Sequence, residues 1–332
     1  MDRREILKSG LFAAGSILLL PELLSFSDIR NAEVKDENYH AIKLFIGELE
    51  TYILCDGIIS LPSVQPIFAP DTEKSVLNDK LRQLHSLSDQ VETGINVMVI
   101  RKDAKVILLD AGSGHHFGAN GGKLTASLKT IGLSPENITD IVITHAHIDH
   151  IGGILNADEA FIFPRAKYHI AKTEYDFWMS DTPDFSDSKG DKSTADFNIS
   201  FAKHILSKIT HRIQFFDYGK ELFSCLLPEL AAGHTPGHTI FTIYSGTKSL
   251  KHIVDAFHIP LLVSRPEWGT QWDTDFNQAV ETRKKIIREG VAYGTLFMSC
   301  HLPWPGLGFI DQIGGEYYWN MYHYANPIKL TV

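Results

Sequence analysis

Only three cysteines occur in the 332 residues, and no two of them are closely spaced. An odd, scattered count supplies neither a disulfide framework nor a thiolate zinc site. The apolar neighbours of Cys55, Cys225 and Cys300 read as surroundings for small buried hydrophobes, with one bridged pair left open for an oxidising compartment. Clustered positive charge is missing as well: the formal net charge is −9 and no Lys/Arg run appears, which argues against nucleic acid and anionic membrane surfaces as partners. Nor is there an unbroken apolar run of about 20 residues, the length needed to span a bilayer. The nearest candidate, Leu11 to Leu24, is interrupted by Gly15, Ser16, Pro21 and Glu22, so neither a spanning helix nor a stable membrane anchor is expected. Short-period repeats, low-complexity tracts and linker-like boundaries are also lacking.

What is there begins with Arg3-Arg4 ahead of that interrupted stretch, the pattern of a twin-arginine export signal over residues 1–30. No clear A-x-A cleavage site follows, so an amphipathic helix that stays attached is the competing reading. Residues 35–332 are then expected to form a single α/β domain with a substantial core, in a periplasmic or secreted protein.

Strand signals fall at Ala41–Phe45, Thr51–Cys55, Ile95–Ile100 and Lys105–Leu109, a hairpin-rich start. A helix over Lys123–Ile131 leads to a strand beginning at Ile141, and Tyr168–Ala171 and Thr173–Met179 read as a strand and a helix. The polar stretch Ser180–Asp196 reads as a long loop. Strands are expected at Arg212–Phe216, Leu222–Leu227, Thr239–Ser245 and His252–Val254, then a helix from Asp275 to Glu289 and a strand at Thr295–Ser299.

The chemistry concentrates in Thr144-His145-Ala146-His147-Ile148-Asp149-His150, directly after the apolar run Ile141-Val142-Ile143. Alternation on an extended backbone sends His145 and His147 to one side, where two imidazoles can meet one ion. Asp149 and His150 follow at a turn and can face a second, and Gly152-Gly153 permits close backbone approach. Further donors recur at strand ends: His234 in Gly233-His234-Thr235-Pro236-Gly237-His238, Asp255 after Ile253-Val254, and His301 after Ser299-Cys300. Each is weakly specific alone, but together seven side chains supply the four to five donors that each of two ions needs, given a bridging carboxylate and a solvent oxygen.

These motifs resemble the metallo-β-lactamase superfamily. Leu109-Asp110-Ala111-Gly112 and His301-Leu302-Pro303-Trp304-Pro305-Gly306-Leu307-Gly308 narrow the resemblance toward the branch containing methyl parathion hydrolase and the acyl-homoserine lactonases. It implies a four-layer αβ/βα sandwich with the site along one edge of the sheets. It also implies that His145, His147 and His234 hold one ion, that Asp149, His150 and His301 hold the other, and that Asp255 bridges them. The ions would be divalent, zinc being suited to imidazole and carboxylate. Val254 departs from the family, which often has glycine before the bridging aspartate.

The expected activity is therefore that of a binuclear metal-dependent hydrolase in which a metal-bridging hydroxide attacks a lactone, an ester or an aryl phosphotriester. Asp255 and Asp149 are the catalytic candidates, with Asp255 orienting the hydroxide and carrying a proton. Asp110 reads either as orienting a ligand histidine or as part of an Asp-Ala-Gly turn. His238 reads as structural, His258 as a neighbour of the cleft mouth, and His115 and His116 as loop residues. Phe117, Trp178, Phe257, Trp268 and Trp304 are candidates to line an apolar mouth, which suits a small-molecule substrate with an apolar substituent. A homodimer is left open. A β-lactam hydrolase and a non-catalytic metal-binding protein are the alternatives, and a diiron oxidoreductase is disfavoured because His147 stands where such proteins resemble Glu.

Overall fold

The computed structural model describes residues 41–86, 90–324 and 329–331. The paired-arginine segment and the rest of residues 1–40 lie outside the described residues.

Period-two patterning builds the first sheet. In β1 (Ala41–Ile46), Ile42, Leu44 and Ile46 are buried and the residues between them half-buried, as a strand with one core face requires. β2 (Leu49–Leu61) returns antiparallel to β1, and helix α1 (Lys74–Gln83) leads to β3 (Val91–Lys102), which pairs with β2 and with β4 (Lys105–Leu109). Right after β4 the connections change to parallel crossovers. Helix α2 (Leu124–Thr130) precedes β5 (Asp140–Ile143), the single-turn α3 (Ile148–Ile151) precedes β6 (Lys167–Ala171), and α4 (Lys172–Met179) and α5 (Lys192–Ile209) precede β7 (Ile213–Phe216).

The second sheet contains β8 (Leu226–Leu230), β9 (Thr239–Ser245) and β10 (Lys248–His252). After α6 (Pro260–Ser264) and α7 (Phe276–Tyr293) it is completed by β11 (Phe297–Met298), β12 (Leu307–Ile313) and β13 (Glu316–Met321), while β14 (Lys329–Thr331) pairs parallel with β1. Strand order is β14-β1-β2-β3-β4-β5-β6-β7 in one sheet and β13-β12-β11-β10-β9-β8 in the other.

Three clusters of buried apolar side chains define the layers. Leu124 and Leu128 of α2, Trp178 of α4 and Ala202, Ile205, Leu206 and Ile209 of α5 pack on the outer face of the first sheet. Leu44, Ile53, Met98, Phe241, Ile243 and Met298 interdigitate between the two sheets. Leu77 and Leu81 of α1 and Ile286 and Ile287 of α7 cover the outer face of the second. Helices, sheet, sheet, helices: the fold is α/β, in the expected four-layer αβ/βα sandwich. Among the described residues no helix is long and apolar enough to cross a membrane.

Several local expectations change. The polar stretch expected as loop to Asp196 becomes helical at Lys192, where Asp191 caps α5 by accepting from the Thr194 N–H. The strand expected over Leu222–Leu227 begins at Leu226, because Phe223 and Ser224 adopt positive φ and turn the chain first. The strand expected over His252–Val254 ends at His252, since Val254 has a φ of 47°. The β12–β13 hairpin, turning at Gly314-Gly315, was not among the expected strands. All three cysteines are free; Cys225 and Cys300 are buried and Cys55 partly so.

Candidate metal centre

The expected donors lie in the turns that follow strands, on both sheets. β5 stops at Ile143, and His145 and His147 occupy the extended turn beyond it, with His147 flanking the start of α3 at φ −75°, ψ 161°. Asp149 and His150 fall on α3 itself. His234 sits in the turn between β8 and β9, Asp255 just after β10 and His301 just after β11. The turn after α3 is pressed against the β4 turn: a Cβ on Gly153 would meet the Ala111 carbonyl oxygen at 2.0 Å. Glycine is required there, which places α3 and its two donors against the sheet end.

All seven side chains are brought together in two adjoining groups, His145, His147 and His234 in one and Asp149, His150, Asp255 and His301 in the other. His147 Nδ1 lies 3.1 Å from His145 Nε2 and 3.0 Å from His234 Nε2. Three nitrogens about 2.0–2.1 Å from a tetrahedral ion would stand roughly 3.3 Å apart, so the group needs little adjustment to receive one. In the other group His150 Nε2 is 3.5 Å from Asp149 Oδ2 and 3.2 Å from Asp255 Oδ1, and His301 Nε2 is 3.3 Å from Asp149 Oδ2. Asp255 lies between the groups: its Oδ2 is 3.6 Å from His145, 3.4 Å from His234 and 2.9 Å from His301.

Whether these residues suit divalent ions can be tested on their polar atoms. His150 Nε2, Asp149 Oδ2 and Asp255 Oδ1 are buried without a hydrogen-bond partner, a costly arrangement in a native protein unless another group satisfies them. Charge leads the same way. Burial opposes a proton on His150, yet the Asp255, Asp149 and Asp110 carboxylates outweigh it and raise its pKa well above the usual histidine range. His301 behaves alike, pushed up to about 10 by Asp255 and Asp149 against the cost of burial. Burial, with the neighbouring imidazole His150, lowers His145. The carboxylates thus attract positive charge into a dry site, and the donor set fits divalent cations.

The Nδ1 atoms of His150, His301 and His234 are held from behind. His150 Nδ1–H donates to Asp110 Oδ2 at 2.7 Å, and Asp110 also accepts from the Thr144 N–H and hydroxyl at 2.8 Å. Asp110 is also at the turn, with a φ of 64°, so its two sequence readings hold together. His301 Nδ1–H donates to the Gly94 carbonyl at 2.7 Å. His234 Nδ1–H donates to Asp273 Oδ1 at 3.1 Å, and Arg283 of α7 donates to the same oxygen at 2.8 Å. Asp273 and Arg283 were not expected; nothing in their local sequence ties them to His234, which is far away along the chain. Such partners fix the tautomer and direction of a ligand ring.

His238 is outside both groups. Its Nδ1–H donates to the Ala231 carbonyl at 3.0 Å and its Nε2 accepts the Asp255 N–H at 3.3 Å, the structural role expected of it. His258 stacks on His301 at 4.9 Å with its Nε2 3.4 Å from Asp255 Oδ2. His115 and His116 lie with tilted rings 4.0 Å apart in the 3-10 turn after β4 and belong to neither donor group.

A cleft of about 270 Å³ opens over the donors, walled by Ile59, Leu61, Phe117, Phe197 and Trp272. Of the five aromatics expected at the mouth, only Phe117 lines it. Trp178 and Phe257 are fully buried, and Trp268 and Trp304 pack against core clusters. Phe197 comes from the unexpected helix α5 and Trp272 from the loop before α7, so the mouth is apolar but built from other residues.

A family model described as the metallo-beta-lactamase superfamily matches residues 91–289. No curated protein matches the chain by sequence. Among solved structures, the chain is similar to AidC, a dizinc quorum-quenching lactonase in complex with a product, N-hexanoyl-L-homoserine, at 34% identity over 88% of this chain and 100% of that one, with a TM-score of 0.83. It is similar to the hydrolase AbOPH of the beta lactamase superfamily at 26% identity over 87% and 99%, with a TM-score of 0.78. A probable metal-dependent hydrolase from Staphylococcus aureus shares the fold at 18% identity over 85% and 100%, with a TM-score of 0.68.

Proposed function

The chain belongs to the metallo-β-lactamase superfamily, and from that membership we propose that it is a binuclear metal-dependent hydrolase that opens N-acyl lactone rings. The observation that carries the reading is a carboxylate-centred set of seven donors at the floor of an apolar cleft. His145, His147 and His234 would hold one ion, Asp149, His150 and His301 the other, with Asp255 between them. Two such ions, zinc by the preference of imidazole and carboxylate, would when bound supply Lewis acidity and lower the pKa of a water toward neutrality.

The chain's own residues do the rest. Asp255 is assigned the orientation of the attacking water and the carriage of its proton to the leaving alkoxide, because its carboxylate touches donors of both groups. Asp149, whose Oδ2 makes no hydrogen bond and faces His301 Nε2 at 3.3 Å at the cleft floor, adds negative charge that favours cation binding. Phe117, Phe197 and Trp272 give an acyl chain an apolar wall and exclude water around the reacting carbonyl. The likeness to a dizinc lactonase over nearly the whole chain supports the substrate class.

An aryl phosphotriester is a second reading, favoured because the Pro303-Trp304-Pro305-Gly306-Leu307-Gly308 segment beyond His301 resembles methyl parathion hydrolase more than the acyl-homoserine lactonases. Metal-replete protein assayed on N-acyl homoserine lactones, aryl esters, phosphotriesters and β-lactams ranks these by kcat/KM. The lactones are expected to lead. Efficient turnover of β-lactams alone would overturn the assignment while leaving the metal chemistry standing.

A further inference from the structure

Glu174, on the first turn of α4, is fully buried and belongs to neither donor group. Its carboxylate accepts four hydrogen bonds. Oε1 takes the Ala146 N–H at 2.9 Å and the Trp178 indole at 2.6 Å; Oε2 takes the Thr235 hydroxyl at 2.6 Å and the Gly237 N–H at 3.0 Å. Ala146 lies between His145 and His147 in the turn after β5, and Thr235 follows His234 in the turn between β8 and β9. One carboxylate therefore holds together two histidine-bearing turns that belong to different sheets.

The contact is close on both sides. A Cβ on Gly237 would meet the Glu174 backbone nitrogen at 2.3 Å, so the second turn rests directly on α4. Trp178, fixed by its bond to Glu174, packs edge-on to His147 with ring centroids 5.7 Å apart. The second donor group has its own supports, Asp110 behind His150 and the Gly94 carbonyl behind His301.

We propose that Glu174 is a positioning residue for the three-histidine site, setting the separation of the two turns so that the nitrogens of His145, His147 and His234 converge before an ion arrives. The inference rests on the reading that these imidazoles hold an ion. Its energetic basis is preorganisation: without the clamp, the ion itself must order two turns, and that cost is subtracted from its affinity. The effect falls on one of two sites, because Glu174 bonds the turns that bear His145, His147 and His234 and makes no bond to Asp149, His150, Asp255 or His301.

The test is zinc affinity read by chelator competition, independent of turnover. Glu174→Gln keeps the side-chain volume but, whichever way the amide turns, sets its NH2 against a backbone or indole N–H that the carboxylate accepted. Thr235→Val removes one of the four bonds and leaves Glu174 in place. The parent is expected to release two ions. In Glu174→Gln one ion is released about 10–100-fold more readily, in the step that His147→Ala abolishes, while the other is unchanged. Thr235→Val should shift the same step by less. Equal weakening of both ions, or none, in a folded Glu174→Gln protein overturns the proposal. If that variant does not fold, Thr235→Val decides: a shift of the one step supports the clamp and unchanged affinity overturns it. A parent chain that binds fewer than two ions would instead bring down the binuclear reading.

Discussion

At the residue scale, the sharpest contrast lies between Asp255, the proposed bridge, and the two residues that hold its loop, Val254 and His238. Val254 departs from the glycine often found before the bridging aspartate, and it takes a φ of 47°, a conformation that costs a β-branched residue about 1–3 kcal/mol. The strain is held in place by Val254's own carbonyl, which accepts from the Cys300 N–H at 3.2 Å and the Ser299 hydroxyl at 3.1 Å. The turn thereby ties the loop of Asp255 to that of His301. Asp255 and His238 are then separable. Asp255→Ala removes the carboxylate that reaches both donor groups, leaving the cations' mutual repulsion less compensated, and elemental analysis is expected to find less than two ions with activity largely lost. His238→Ala should retain both ions and lower stability by about 1–3 kcal/mol, the cost of a buried imidazole's hydrogen bonds. Equal metal content and activity in Asp255→Ala and the parent would move the bridge to another residue. The clustering of the seven side chains was legible because they stand in short motifs at strand ends; Asp273, Arg283 and Glu174 were not legible, because a buried charge on a helix or loop looks like any surface charge until tertiary structure gives it a partner.

At the element scale, helix α5 shows what periodicity contained and polarity hid. Ala202, Ile205, Leu206 and Ile209 fall at i, i+3, i+4 and i+7 and are all buried, a helical stripe by spacing alone. Its first turns are polar and run on from the Asp- and Ser-rich loop, so the boundary is set by the Asp191 cap rather than by any change in composition. Those polar turns hold Thr194, Phe197 and Asn198 over the cleft. Phe197 is 53% exposed, an apolar ring kept at the surface where a substrate can cover it. Phe197→Ala is expected to raise KM for long-chain acyl lactones about tenfold, the loss of roughly 1–2 kcal/mol of apolar contact, with kcat little changed and short-chain substrates affected less. Steady-state kinetics across a chain-length series reads this directly; a uniform fall in kcat at all lengths would mean that the ring supports the fold of the helix rather than the substrate.

At the scale of the whole molecule, the pattern of strands and crossovers made the α/β class and the sandwich readable, while exact strand limits in the second half followed turns such as Phe223-Ser224 and Val254 that composition does not reveal. The larger consequence is that the donors divide between the two sheets: the turn after β5 and α3 on one, the turns after β8, β10 and β11 on the other. Ions bound there would bind the folded arrangement and not the unfolded chain, so their binding free energy adds to folding stability. At a free-ion concentration one hundred times the dissociation constant, each site contributes about 2.7 kcal/mol. For two sites this amounts to a fall in Tm of roughly 10 °C on chelation, taking about 2 °C per kcal/mol for a chain of this size. Glu174, Asp110 and Asp273 remain to hold the turns, so the chelated protein should stay folded at room temperature with its circular dichroism intact. Scanning calorimetry before and after metal removal, with the ion content measured on the same samples, checks both halves of the expectation. An unchanged Tm after complete removal would mean that the sheets meet without help from the ions; unfolding on chelation at 25 °C would mean that the protein side-chain network behind the ligands is too weak to hold the site alone.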